Sequence, residues 1–111
     1  MKKQTEAYIQ NQIFIWFHNT YKDYIIHSVP NGGYRDTAEA VAMKNTGTVP
    51  GISDLIIWLP NQRAMMIEVK DKKGKQSEAQ IKIQNKLEKI DGIYLLVRSL
   101  EDFKEQIKNY L

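Results

Sequence analysis

Two short apolar runs on either side of a polar turn constrain the fold of this chain most strongly. The runs DLIIWL (54–59) and AMMIEVK (64–70) are separated by the polar stretch PNQR, and this pattern predicts a β-hairpin. Asp54 and Glu68 are then expected to lie roughly opposite one another. Because side chains alternate in direction along a strand, Glu68 and Lys70 are expected on the same face of the sheet.

Two carboxylates and an amine on one hairpin are suited to phosphodiester hydrolysis with a divalent metal ion. Asp54 and Glu68 are hard oxygen donors for Mg²⁺ or Mn²⁺, and the carbonyl of Val69 is a plausible third ligand. Two carboxylates about 4 Å apart repel by about 4 kcal/mol at an effective dielectric of ~20, and a bound cation reverses this cost. Lys70 would either orient or deprotonate the attacking water or stabilise the transition-state charge. The alternative is an ordinary half-exposed strand with a cross-strand ion pair.

The rest of the chain predicts alternating helices and strands. We expect a helix over 5–21, a strand over 24–29, a short helix from 36 to near 47, the hairpin, a helix from Ser77 to Asp91-Gly92, a strand over 93–98 and a final helix capped by Ser99. The order α-β-α-β-β-α-β-α predicts an α/β fold, a mixed sheet covered by helices. In the helix that follows Ser77, the residues expected to face inward are Ala79, Ile83, Leu87 and Ile90.

Composition favours one small domain over residues 1–111. The chain has 111 residues, 42% of them hydrophobic, which suffices for one core but not for two. It has no cysteine, and His18 and His27 lack partners at ligand spacing, so disulfides and a zinc site are not expected. No signal peptide and no run of about 20 apolar residues is present, so we expect a cytoplasmic protein without a membrane partner.

The positive charge is concentrated after the hairpin. The net charge is only +3, but residues 70–89 contain seven lysines against three acidic residues. Such a cluster can neutralise phosphates on either side of a scissile bond. The alternative is the solvated face of an ordinary helix.

The order of several motifs resembles a known family. A glutamate on an N-terminal helix (Glu6 in TEAYIQNQI) is followed by NGGYR, GTVPGISD, EVK and SEAQ. This order resembles the VRR-NUC family, the virus-type replication and repair nucleases of the PD-(D/E)xK superfamily, in its stand-alone phage or prophage form. The resemblance covers nearly the whole chain, from residue 5 to 111, and implies a restriction-endonuclease-like αβββαβ core with a mixed central sheet. One departure is Ser53, where the family commonly has proline before the aspartate.

The resemblance also implies roles for individual residues. Asp54 and Glu68 would bind the metal, Lys70 would complete the catalytic set, Gln80 would be an accessory active-site residue, and Glu6 would place a helix-borne acid near the metal. Asn31 and Arg35 look like substrate-side positions. The positions expected to contact DNA are Asn31, Arg35, Lys44, Lys72, Lys73 and Lys75.

Three of these residues have structural alternatives. Gln80 stands where a capping-box side chain would reach back to the amide of Ser77, and one residue can serve both purposes. Glu6 is an acid in the first turn of a helix, where it is favourable to the helix dipole whether or not a metal is present. Asn31 follows a proline and precedes two glycines, so the segment is first of all a turn.

The expected function is a Mg²⁺- or Mn²⁺-dependent DNA endonuclease that resolves Holliday (four-way) junctions as a homodimer, in the cytoplasm of a bacterial host. The family association with branched DNA and the two-fold symmetry of a dimer favour this substrate. A nuclease that cuts flaps, nicks or duplex has the same site. A non-catalytic DNA-binding module would keep the fold alone, and a restriction-type enzyme would need a second recognition region, which this sequence lacks.

Overall fold

The protein alternates helices and strands in the predicted order. A computed structural model describes residues 4–30 and 37–111. Within these residues the elements are α1 (Glu6–Thr20), β1 (Ile25–Ser28), α2 (Thr37–Asn45), β2 (Leu55–Trp58), β3 (Ala64–Val69), α3 (Glu78–Lys89), β4 (Ile93–Val97) and α4 (Leu100–Ile107). The predicted order α-β-α-β-β-α-β-α is therefore confirmed. In the described part of the chain, no helix combines the length and the apolar character needed to cross a membrane.

The strands form one mixed sheet in the order β1-β2-β3-β4. The pairs β1/β2 and β2/β3 are antiparallel, whereas β3 and β4 are parallel and are joined by α3, as a parallel pair requires. The predicted hairpin is β2 and β3, in which Leu55 lies opposite Ile67. A 3₁₀ turn over Pro60–Gln62 connects them, and the N–H of Leu59 donates to the carbonyl of Arg63 at 2.8 Å.

The hydrophobic core lies on one face of the sheet. Alternate residues of the strands point to this face, as the period of two requires, and pack against the apolar sides of α1 and α4. Glu68 alternates with core residues and therefore faces the opposite side, toward α3. The buried core consists of Ile9, Ile13, Phe17, Ile26, Leu55, Ile57, Met65, Ile67, Val69, Ile93, Leu95, Val97, Phe103 and Ile107.

Three helices begin at the predicted polar caps. The hydroxyl of Thr5 accepts from the N–H of Tyr8 at 3.1 Å, that of Ser99 accepts from Asp102 at 3.0 Å, and Ser77 caps α3. One inward position was wrong. Ile90 is 77% exposed, because α3 ends at Lys89 and the helical period no longer applies to the capping residue that follows it.

Gly51 brings the loop before β2 against the start of α3. Its φ is +84°, and a Cβ added there would overlap the carbonyl group of Ala79 and lie 2.7 Å from the nitrogen of Gln80. The loop and the helix therefore meet through their backbones, which only glycine permits. Gly47 in the same loop has a φ of +108°, but a Cβ there would have no atom within 4 Å among residues 4–30 and 37–111. Both glycines have a positive φ, but only Gly51 contacts α3. A comparison of the two therefore separates the cost of the backbone conformation from the cost of losing this contact.

Gly51→Ala is expected to destabilise the protein more than Gly47→Ala. Both substitutions force a side chain into a left-handed conformation, which costs about 1–2 kcal/mol. Gly51→Ala must also push α3 away from the loop, so its loss in unfolding free energy should exceed that of Gly47→Ala by more than about 1 kcal/mol. Urea unfolding followed by circular dichroism measures both. Equal losses would mean that the close approach at Gly51 contributes nothing.

Candidate active site

The hairpin register brings Asp54 and Glu68 together. Continuing the pairing of Leu55 with Ile67 by one residue places Asp54 opposite Glu68. The N–H of Asp54 donates to the carbonyl of Ile67 at 3.1 Å, and the N–H of Val69 donates to Asp54 Oδ2 at 2.7 Å. The Asp54 carboxylate is thereby fixed on the backbone of β3, directly beside Glu68. This is the arrangement that the hairpin pattern predicted.

Glu68 is a buried acid. Its side chain is 2% exposed, Oε2 accepts from Gln80 Nε2 at 3.0 Å, and Lys70 Nζ lies 3.7 Å from the same oxygen. Among the described residues, Oε1 is buried without a hydrogen-bond partner. Burial, and after it the negative charge of Asp54, raise the pKa of Glu68 from 4.5 to about 8, against the opposing charge of Lys70. At neutral pH the metal-free pair therefore holds a proton.

Gln80 uses both ends of its amide. Oε1 accepts from the N–H of Ser77 at 2.8 Å, and the hydroxyl of Ser77 accepts from the N–H of Gln80 at 3.2 Å, so the predicted capping box is confirmed. Nε2 is left to donate to Glu68. The capping box therefore fixes the rotamer of Gln80 and directs its amide nitrogen toward the acid pair. Gln80 therefore caps α3 and contacts the acid pair at the same time.

Glu6 and Lys70 lie beside one another at the edge of the site. Glu6 Oε2 accepts from the N–H of Asp71 at 3.3 Å, and the charge of Glu6 adds slightly to the upward shift of the Glu68 pKa. A Cβ added at Gly74 would lie 3.2 Å from Glu6 Oε2 and 3.3 Å from Lys70 Cδ. The start of α1 is thus brought to the end of β3, as an acid near the metal would require, and its catalytic role stays a prediction.

Ser53, the departure from the family pattern, has a structural position. Its side chain is fully buried, and its hydroxyl donates to the carbonyl of Leu55 at 3.0 Å. The hydroxyl therefore holds the backbone at the start of β2, on the side of the chain opposite to its neighbour Asp54. A serine at this position shapes the backbone rather than the chemistry.

Sequence reasoning missed two residues near the site. Tyr94 on β4 is buried with its hydroxyl accepting from Gln76 Nε2 at 3.3 Å; burial chiefly raises its pKa to about 12, so the phenol stays neutral. Arg98 donates to carbonyls of the turn that follows Lys70. Both belong to the run IYLLVR, whose apolar character predicts a strand but carries no signal for these contacts.

The predicted DNA contacts divide into two groups. Asn31 and Arg35 lie outside the described residues. The lysines are exposed, as phosphate contacts must be, and their role in binding stays a prediction. They are Lys44 on α2, Lys72 and Lys73 in the turn after β3, and Lys75 before α3.

Comparison with known proteins decides the family. The family model of the VRR-NUC domain matches residues 1–99 of the chain. The chain belongs to the VRR-NUC family. This confirms the resemblance in the order of motifs, and it makes the chain a nuclease domain. The phage or prophage origin stays a prediction.

Solved structures of VRR-NUC domains have the same fold. One, described as a VRR_NUC domain protein, aligns with a TM-score of 0.80 and 23% identity over 100% of this chain and 91% of its own length. Another, described as a VRR_NUC domain, aligns with a TM-score of 0.67 and 18% identity over 97% of this chain and 100% of its own. These likenesses confirm the mixed sheet flanked by helices. No curated protein matches the chain.

The site fits the divalent metal ion on which VRR-NUC nucleases generally depend. The carboxyl groups of Asp54 and Glu68 lie side by side, and the buried Glu68 Oε1 has no donor in the described part of the chain. Over those same residues, no group of three or more acidic, histidine or cysteine side chains could hold a metal ion. A pair suffices for Mg²⁺, which usually keeps several waters and takes one or two carboxylates. Asp54 and Glu68 are therefore the residues that fit the ion.

The metal-free protein is expected to lose stability as pH rises from about 4.5 to about 8. The pKa of Glu68 is higher in the folded protein than in the unfolded chain, so the folded state binds the proton more tightly in this interval. Glu68→Gln keeps an acceptor for Gln80 and removes the titration. Unfolding free energies in the presence of a chelator, measured from pH 4 to 9, should therefore fall for the wild type relative to Glu68→Gln. Parallel curves would contradict the raised pKa.

Proposed function

We propose that this VRR-NUC domain is a divalent-metal-dependent endonuclease that hydrolyses phosphodiester bonds in DNA. The observation that carries the proposal is the pairing of the buried Glu68 with the half-buried Asp54, with Lys70 Nζ 3.7 Å from Glu68 Oε2. Burying an acid beside a second acid is unfavourable unless a proton or a cation neutralises the pair. A stable fold gains nothing from such a pair, whereas a metal site requires it.

Asp54, Glu68 and the carbonyl of Val69 would hold Mg²⁺ or Mn²⁺. When bound, the ion supplies a Lewis acid for the phosphate and lowers the pKa of a coordinated water. Glu68 must release its proton to act as a ligand, so metal binding is expected to tighten with pH up to about 8. The N–H of Val69 already contacts Asp54, and because the N–H and C=O of a strand residue point to the same side, its carbonyl is directed there too.

Lys70 is the group that we propose acts on the reacting phosphate. Lys70 lies two residues after Glu68 on the same face. Its side chain is 13% exposed, and its ammonium lies beside the carboxyl pair. From this position the ammonium can orient the attacking water or stabilise negative charge that develops on the phosphate oxygens. Gln80 supports the pair by holding one oxygen of Glu68, and Glu6 borders the same space from the first turn of α1.

The substrate proposed is branched DNA, and four-way junctions in particular. The exposed lysines after β3 would contact phosphates, which position a protein on DNA without reading its sequence. A homodimer would present two equivalent sites related by a two-fold axis, which matches two opposed strands of a junction. We place this activity in the cytoplasm of a bacterial host. A nuclease for flaps or duplex has the same site and is the alternative that the assay below separates.

Asp54→Asn and Glu68→Gln are expected to lower the cleavage rate by at least about 10³-fold, which corresponds to about 4 kcal/mol of transition-state stabilisation. Lys70→Gln should lower it by about 10²- to 10⁴-fold. The rate should be measured on fluorescently labelled DNA with Mg²⁺, Mn²⁺ or a chelator. The variants should keep their far-ultraviolet circular dichroism, since Asp54→Asn and Glu68→Gln retain the shape of the original side chain and Lys70→Gln only shortens it.

The matched controls are the same types of substitution made at exposed residues. Asp23 is exposed, and Glu105 on α4 pairs at 3.0 Å with Lys108, the exposed residue that follows this helix. Asp23→Asn, Glu105→Gln and Lys108→Gln should cleave at the wild-type rate. If Asp54→Asn and Glu68→Gln also cleaved at that rate, or if wild-type cleavage needed no metal, the proposed site would be wrong. A wild type that binds DNA without cutting it would favour the non-catalytic module.

Four-way junctions are expected to be cut faster than flaps and linear duplex of the same sequence. All three substrates should be compared at one salt concentration, because phosphate contacts make affinity fall steeply with salt. Light scattering on the same sample should give the mass of a dimer of the 12.9 kDa chain. Equal rates on the three substrates would remove the junction proposal while leaving the nuclease in place, and a monomeric mass would remove the dimer.

A further inference from the structure

A basic turn follows β3 and Lys70, and Arg98 binds the carbonyls of this turn. Arg98, directly after β4, donates from Nη1 to the carbonyl of Asp71 at 2.7 Å and to that of Gly74 at 2.7 Å, with a longer contact of 3.5 Å to Lys72. Hydrogen bonds from a charged guanidinium are shorter and stronger than neutral ones. One cationic group therefore binds both ends of the turn over 71–74.

The same turn is held from a second side and from within. Glu6 accepts from the N–H of Asp71, Asp71 Oδ1 accepts from the N–H of Lys73 at 2.9 Å, and the N–H of Gly74 donates to the carbonyl of Asp71 at 3.3 Å. These contacts engage the N–H groups of Asp71, Lys73 and Gly74. Its two lysines, Lys72 and Lys73, remain exposed. The turn is a fixed element rather than a flexible connection between β3 and α3.

The backbone around Lys70 is bound to two consecutive residues at the end of β4. The N–H of Lys70 donates to the carbonyl of Val97 at 3.0 Å, and the carbonyl of the following residue, Asp71, accepts from Arg98. The turn also borders the side chain, since a Cβ at Gly74 would lie 3.3 Å from Lys70 Cδ. Gly74 is the residue whose carbonyl Arg98 binds. Moving Gly74 would therefore remove the surface against which the stem of Lys70 packs.

We infer that Arg98 is a positioning residue for catalysis: by clamping the 71–74 turn, it fixes the ammonium of Lys70 beside Glu68. The inference rests on the proposed function of Lys70. In the part of the chain that the structure describes, the side chain of Arg98 bonds only to carbonyls of the turn and to neither carboxyl of the acid pair. Arg98 therefore acts indirectly, by holding the turn that positions Lys70. Small displacements of a reacting group reduce rates steeply.

Arg98→Ala should lower kcat by about 10- to 100-fold and change KM by less than about 3-fold, since supporting partners of this kind typically contribute that much. Arg98→Lys should recover part of kcat, because an ammonium keeps the charge but lacks the planar fork. The control is Arg63→Ala. Arg63 also donates to a backbone carbonyl, that of Asp91 at 3.1 Å, but it lies at the opposite end of β3 from Glu68, and its loss should leave kcat unchanged.

Hydrogen exchange supplies a readout that does not depend on activity. Amides in the peptide over 70–76 should exchange at least about 10-fold faster in Arg98→Ala than in the wild type or in Arg63→Ala. A kcat for Arg98→Ala within 2-fold of the wild type, or unchanged exchange over 70–76, would overturn the inference. If Arg98→Ala does not fold, Arg98→Lys and Arg98→Gln carry the same comparison.

The two proposals fail in different ways. A wild-type protein that cuts no DNA with any divalent ion would refute the proposed function, and the exchange data alone would then decide whether Arg98 orders the turn. A wild-type protein that cuts DNA, with an Arg98→Ala variant that matches it in kcat, would refute the positioning role and leave the nuclease intact.

Discussion

The structure depends on one unfavourable interaction, the close pairing of the buried Glu68 carboxyl with the half-buried carboxyl of Asp54 across a hairpin. The register of β2 and β3 leaves no choice in this, because the pairing that places Leu55 against Ile67 also places Asp54 against Glu68. A slip of one residue would separate the acids and turn the core side chains of the hairpin to the wrong face. The apolar pairs of the core therefore hold the acids together. The cost appears in the pKa of Glu68, which burial and Asp54 raise to about 8.

The surrounding elements stabilise this pair without neutralising it. Gly51 lets the loop before β2 touch the start of α3, and this contact positions Gln80 so that its capping amide also reaches Glu68. On the other side of Glu68, Lys70 supplies a positive charge that opposes the raised pKa but does not cancel it. The remaining oxygen of Glu68 has no donor among the residues described. An acid oxygen without a donor is what the proposed metal ligand requires, and it would be unfavourable in a purely structural ion pair.

Much of this could be predicted from the sequence, because the relevant signals are local. Alternating apolar runs predicted the hairpin, and Ser77 with Gln80 three residues later predicted the capping box. Ile90 was wrong because its periodicity extends past the end of α3, where the backbone has already left the helix. Arg98 was missed because its partners are backbone carbonyls more than twenty residues away, and backbone groups have no signature in a sequence. Features that depend on neighbouring residues could therefore be predicted from the sequence, whereas contacts between distant segments became visible only in the folded structure.

The measurement that tests the account most directly is anomalous X-ray diffraction from crystals of the active protein soaked in Mn²⁺. The account predicts an anomalous peak between Asp54 and Glu68, with one oxygen of each at roughly 2.0–2.3 Å, and no such peak in Glu68→Gln crystals. It would be contradicted by an enzyme that cleaves DNA with Mn²⁺ while its crystals hold no manganese between these two residues, or hold it only elsewhere.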